Sequence, residues 1–205
     1  MTVKEVLTLA CQFLNKEEDF KDDLEKSIID QTSKNFKVLF NSLNIINNEI
    51  ASDYFPLMTE EEIDIKNNKI YYDDLTKIVK DIYSIQSIDK STSYRFKTFE
   101  NYLNVYAGGR VLVTYSYIPS DLKLTGNISN FGGKITARTI ALGVVSEYCF
   151  INGIFDEAQI WHKRFVDSIF ANLSKKGIVK MPKRKWLWSM KRNFQQKRIN
   201  IKKLK

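Results

Sequence analysis

The side chains that could do chemistry in this sequence are few, and their spacing assembles no familiar catalytic set. His162, in the segment IWHKRF, is the only histidine among 205 residues. A zinc site built on paired imidazoles or on Cys-x-x-Cys is therefore not encoded. The two cysteines, Cys11 and Cys149, stand far apart among apolar neighbours and read as reduced, buried thiols. Two carboxylate runs, KEEDFKDDLE and TEEEIDI, hold enough acid for metal binding or acid–base work. Runs of this kind are far more often solvated faces, and they are read as such. A Ser-His-Asp relay needs proximity that one isolated histidine does not supply. The segment NFGGKIT has the glycines and the lysine of a phosphate loop. Ile128 stands where the first glycine belongs, however, and Ile135 where Ser or Thr should follow Lys134, so a helix start is the better reading. The expectation is a protein that is not an enzyme and uses no metal or cofactor.

The elements that position these residues can be read from periodicity. Thr2 followed by Glu5 predicts a capping box, with Val3, Val6, Leu7, Ala10, Phe13 and Leu14 behind it on one helical face. A long helix is predicted from about Ile28 to Tyr54, its stripe running through Phe36, Leu39, Phe40, Leu43, Ile46 and Ile50, with Pro56 at its end. The period then changes to two. EEIDI-KNN-KIYY reads as a hairpin about an Asn-Asn turn, and NYLNVY-AGG-RVLVTYSYIP as a second hairpin about Gly108 and Gly109. Weaker strands lie in KIVKDIYSIQSI and SYRFKTF. Helical spacing returns after Gly132-Gly133 with Ile135, Thr139, Leu142, Val145, Tyr148 and Cys149. Asn152-Gly153 reads as a C-cap, and a last helix buries Ile154, Ala158, Trp161, Phe165 and Ile169.

The fold expected from these elements is α+β but mainly α. It is an antiparallel helical bundle carrying a small antiparallel β insertion and an extended C-terminal arm. The expected divisions are 1–56 for the N-terminal helices, 57–130 for the β-rich insertion, 131–177 for the closing helical hairpin and 178–205 for the arm. The N-terminus lacks the basic start of a secretory signal, and apolar runs such as IALGVV are too short to span a bilayer, so a soluble protein is expected.

Charge is divided unevenly. Of the 32 lysines and arginines, 13 lie beyond Asp167, the last acidic residue; the first 167 residues thus set 19 basic against 24 acidic side chains, a net of −5. The basic character belongs to the C-terminal end, MPKRKWLWSMKRNFQQKRINIKKLK. Its lysines and arginines could neutralise phosphates while its aromatics stack on bases. Trp186, Leu187, Trp188, Met190 and Phe194 could instead sit at a membrane interface. As a third option, the tryptophans could anchor a docking arm, with Lys183, Arg184, Lys185, Lys191 and Arg192 as its electrostatic rim.

The segment ITARTIALGVVSEYCFINGIFDEAQIWHKRFVDSIF resembles the C-terminal helical hairpin of bacteriophage head–tail connector proteins, the adaptor or tail-tubular-A-like group. The matching residues are Glu147-Tyr148, Asn152-Gly153, Asp156-Glu157-Ala158, Trp161 and Lys163-Arg164-Phe165. Similarity of sequence covers about residues 135 to 170, and similarity of element order covers most of the chain. The resemblance implies a virion neck protein, assembled from the host cytoplasm. It would form a homo-oligomeric ring of about twelve copies below the portal protein, around the channel through which genomic DNA passes. A tail or second neck protein would sit beneath it, and no membrane is involved. It further implies that the arm docks on the portal through Lys183 to Phe194, and that Tyr148, Trp161 and Phe165 pack the hairpin or the ring. A small nucleic-acid-binding protein using the same basic aromatic tail is the alternative.

Overall fold

The computed structural model describes residues 1–129 and 131–174. The chain divides into two units, Met1–Ile169 and Phe170–Lys205. Of the second, residues 170–174 are described and form the end of a helix. Among the described residues there are five α-helices and six strands: α1 Val3–Phe13, α2 Glu17–Glu25, α3 Lys34–Glu49, β1 Leu57–Ile65, β2 Lys69–Tyr71, β3 Val79–Ser87, β4 Phe96–Thr98, β5 Tyr102–Val105, β6 Gly109–Tyr117, α4 Ala137–Ile151 and α5 Phe155–Ser174.

The mainly helical bundle with a small insertion is not what forms. Helix accounts for about 49% and strand for about 24%, with two three-stranded antiparallel sheets, so the fold is a balanced α+β. The physical reason is that the β segment builds a core of its own. Ile63, Ile70, Ile85, Leu103, Val111 and Val113 come from both sheets and bury one another with Tyr115. That is the minimum a sheet needs to be stable in its own right, and not as a flap on a bundle.

The helical part begins with the Thr2–Glu5 capping box, in which the Glu5 amide donates to Thr2 Oγ1 at 3.1 Å. α1 buries Val3, Val6, Leu7, Ala10 and Cys11. The long helix expected from Ile28 is broken. A 3-10 turn covers Ile29–Gln31, and α3 starts only after Ser33, whose side chain accepts from the Phe36 amide. The break is fixed by the buried Asp23 of α2. Its carboxylate accepts from the Ser33 hydroxyl at 2.5 Å, the Ser33 amide at 3.1 Å and Lys26 at 2.7 Å. Burial works against this carboxylate, but its donors outweigh burial and hold its pKa below the usual value. α3 ends in a π-helical turn, Ile50–Tyr54, closed by the Phe55 amide on the Ile50 carbonyl at 2.8 Å.

α4 is the central helix. Ten of its residues from Thr139 to Cys149 are buried, and Thr136 caps its start. It ends in a Schellman motif. Gly153 takes φ +76°, its amide donates to the Phe150 carbonyl, and the Ile154 amide donates to the Cys149 carbonyl. α5 then runs back along α4. Ser146 donates to the Ala158 carbonyl at 3.1 Å, and Thr139 and Ser168 share a hydroxyl contact at 2.8 Å. Between these contacts Gly143 lets three helices converge, because a Cβ there would lie 2.9 Å from Ile46 Cγ2 and 3.0 Å from the Phe165 ring.

In the β part the sheet orders are β1–β6–β3 and β2–β5–β4. The expected Asn67-Asn68 turn forms, both residues at positive φ and closed by a Lys66–Lys69 bridge, but the first expected hairpin does not extend from it, because β1 pairs with β6 and β2 with β5 in the other sheet. The second expected hairpin does not form. The strand before Gly108-Gly109 pairs with β2 and β4, whereas the strand after it pairs with β1 and β3. This glycine pair is a crossover between sheets, with Gly109 at φ +83°. A bridge between Gln86 and Ser93 joins the other margins. Two register shifts in β3, at Val79/Asp81 and Ile82/Ser84, distort its free edge. The helical and β parts meet at Lys80, which donates to the Ser52 carbonyl and faces Asp53.

Candidate interaction surfaces

The chemistry-bearing side chains remain dispersed. Cys11 and Cys149 are buried free thiols. Burial, aided by Glu17, pushes the Cys11 thiol up to about 11, which leaves it unreactive at neutral pH. The carboxylates of TEEEIDI go to separate partners: Glu60 to Lys90 at 2.8 Å, Glu62 to Arg110 at 3.4 Å, and Glu61 to Tyr115 and Thr76. Among the described residues, no group of three or more His, Cys, Asp or Glu side chains could hold a metal ion. Nor is any of their helices long and apolar enough to cross a membrane.

Glu61 ties the segment after β2 to the sheet. It accepts from the Tyr115 hydroxyl at 2.7 Å, the Thr76 amide at 3.0 Å and the Thr76 hydroxyl. Burial alone would raise its pKa, but these donors prevail and lower it. Burial and the bond to Glu61 push Tyr115 the other way, up to about 12. This is a structural clasp. Beside it a cleft of about 770 Å³ opens between the margins of the two sheets, lined by Leu75, Ile78, Val79, Ile82, Phe96 and Phe99 among others. The bulges of β3, together with Lys77 and Lys80 on the same segment, blunt this edge against strand addition.

Tyr148 and Phe165 lie in the helical core, and half-buried Trp161 stacks on Phe13 at 5.6 Å with the Arg164 guanidinium 4.8 Å from its ring. The arm residues Lys183, Arg184, Lys185, Trp186, Leu187, Trp188, Met190, Lys191, Arg192 and Phe194 lie outside the described residues.

Two exposed surfaces were not anticipated. The first is the tip of the α4–α5 hairpin. Phe150, Phe155 and Ile160 are 55–59% exposed, and Ile151 and Ile154 exceed 40%. Ile154, expected in the buried stripe, belongs to this tip, because the Gly153 cap turns the chain before α5 begins. A cleft of about 330 Å³ opens beside Phe150 and Phe155, with Ala158, Glu147 and His162 around it. Burial pushes the nearby Glu49 carboxyl up, partly offset by His162 and reinforced by Asp53 and Glu147. The sequence signal was the run FINGIF, too apolar for an ordinary connection. The second surface is the outer face of β2–β5–β4, where Tyr71, Tyr102 and Phe99 form one row. Tyr71 lies on β2, Tyr102 on β5 and Phe99 just past the end of β4, so no short sequence window contains all three. No protein-family model matches the chain, and no curated protein matches it either.

Proposed function

We propose that this chain is a structural subunit of a bacteriophage virion. It is a head–tail connector that forms a ring below the portal, extends the DNA channel and joins the capsid vertex to the tail. The observation that carries this reading is the hairpin tip. A contiguous exposed apolar surface marks a protein interface, and this one lies within the segment that resembles the connector hairpin. The residues of that resemblance have structural work: Asn152 and Gly153 end α4, Ala158 packs beneath Ser146, and Phe165 fills the space left by Gly143. The net charge of −5 over residues 1–167 suits a channel wall that DNA slides past, and the 13 basic residues beyond suit a docking segment.

Quantitative mass spectrometry of purified particles tests the reading. This chain and the portal protein are expected at near-equal copy number, and absence from particles would overturn it. Removal of residues 178–205 should then abolish joining to portal rings while residues 1–177 stay folded. Trp186→Ala with Trp188→Ala should cost about 2 kcal/mol or more of docking energy per residue. The segment after Asp167, with its basic and aromatic side chains and no acid, favours one second reading, binding of nucleic acid. A salt series separates the two. Phosphate binding falls log-linearly with salt, whereas aromatic anchoring changes far less.

A further inference from the structure

The two exposed surfaces carry opposite charge around similar aromatic centres. In an antiparallel sheet, directly opposed residues share a face. On the outer face of β2–β5–β4, Tyr71 opposes Tyr102, and the Phe99 ring stacks on Tyr102 at 4.8 Å. Two residues along the strands, Lys69, Asn104 and Lys97 form the adjacent row. Lys69 Nζ lies 4.2 Å from the Tyr102 ring centroid, and Arg95 follows beside Tyr106. Tyr71 and Phe99 are each 44% exposed and Tyr106 58%. Glu100 adjoins this face at the turn into β5; the row itself is cationic. At the hairpin tip the Phe150 and Phe155 rings meet edge to face at 5.6 Å. The acidic groups beside them are Glu147, on the rim of the cleft, and the exposed Asp156 and Glu157 in the first turn of α5; the basic Lys16 lies 5.9 Å from the Tyr148 ring centroid.

We propose that each surface is covered by the other on a second copy of this chain: the acidic aromatic tip of one copy docks on the basic aromatic sheet face of the next. Neither surface is self-complementary. A two-fold contact of tip on tip would set carboxylates against carboxylates, and sheet face on sheet face would set lysines against lysines. The pairing that matches charge is heterologous, and a heterologous contact propagates from copy to copy, giving a ring where the rotation closes and an open filament where it does not. The proposal deepens the ring reading above and rests on it, but it names the contact that makes the ring.

The test uses the full chain and sedimentation velocity. One variant carries Lys69→Glu with Lys97→Glu, the other Phe150→Ser with Phe155→Ser. The wild type is expected to self-associate, and each variant alone to associate at least ~30-fold more weakly. The mixture is expected to form one-to-one dimers and nothing larger, because one variant keeps an intact tip and the other an intact sheet face. Recovery of dimers in the mixture also shows that both variants are folded. If both variants assemble as the wild type does, this contact is wrong, while particle copy number still decides the ring reading. Loss of assembly in the tip variant alone overturns the proposal as well, since the tip would then be covered by something other than the sheet face. A wild type that stays monomeric at every concentration overturns it outright.

Discussion

The helical part and the β part of this chain are closed by different physics. In the helices, Gly143 admits Ile46 and Phe165 to within 3.0 Å of where its Cβ would stand, so closure there depends on shape, with uncharged hydroxyl contacts at Ser146 and Thr139 to either side. In the strands, the margin is held by Glu61, which gathers Tyr115 and Thr76 through hydrogen bonds. The first arrangement is sensitive to volume and indifferent to pH. The second is gathered by polar donors around a carboxylate, and it titrates. One chain thus contains a packing lock and a polar clasp, and each can be opened without touching the other.

The largest effect is expected from the packing lock. Phe165 is fully buried, and Phe165→Ala should cost about 3–5 kcal/mol through lost burial and the cavity left behind. Gly143→Val should cost about 1–3 kcal/mol by overpacking, since Ile46 and Phe165 are themselves held in the core. Urea unfolding at neutral pH measures both. A Phe165→Ala loss under 1 kcal/mol would mean that α5 is not what closes the helical core.

Opening the clasp should cost less and should carry a pH signature. Tyr115→Phe removes one donor from Glu61 and is expected to cost about 1–3 kcal/mol at pH 7. Glu61 has a lowered pKa in the folded state, so its contribution is present above the ordinary value of 4.5 and is lost as pH falls through the lowered one. Tyr115 is raised from 10.0 to about 12, so its contribution is present below pH 10 and is lost as pH rises toward 12. Thermal melts from pH 3 to 11.5 should show the wild type losing stability at both ends more steeply than Tyr115→Phe. Phe165→Ala should instead be displaced by a constant amount. Parallel curves for wild type and Tyr115→Phe would remove the polar clasp from the account.

The same contrast explains what could be read in advance. Local signals were legible: the Thr2–Glu5 box, the Asn67-Asn68 turn and the Gly153 cap each act within a few residues, and each formed. Partner choice was not legible. The residues flanking Gly108-Gly109 have strand periodicity, but periodicity does not say that β5 and β6 belong to different sheets. The apolar stripe through α3 continues across Ser33, and only the distant Asp23 carboxylate reveals the break. Ile154 keeps helical spacing with Ala158 and Trp161 yet lies on the far side of a cap, which exposes it. The aromatic sheet face has the same origin as the missed topology, because it exists only once three separate strands are paired.

A smaller effect, of opposite sign, is expected inside the helical part. Asn47 of α3 is 1% exposed, and among the described residues neither its Oδ1 nor its Nδ2 has a hydrogen-bond partner. A buried amide without partners costs more than an apolar side chain of similar size. Asn47→Leu should therefore raise stability by about 1 kcal/mol. Denaturant midpoints with an unchanged slope would check this, and a destabilised variant would mean that the amide has a partner when folded in solution.

The smallest effect should come from the exposed margin of the β part, where packing and burial both fall away. Lys90 and Glu60 pair at 2.8 Å with side chains 55% and 47% exposed, a setting in which ion pairs contribute about 0–1 kcal/mol and less at high salt. Lys90→Ala should accordingly shift stability by only a few tenths of a kcal/mol. Lys90 also sits at φ +58° in the turn after β3, where any side chain with a Cβ is strained. Lys90→Gly loses the same ion pair but relieves that strain, at the expense of a more flexible unfolded chain. The glycine variant should therefore be at least as stable as the alanine variant. Were it clearly less stable, the ion pair would be irrelevant to the difference, since both variants lack it, and chain entropy would govern this turn.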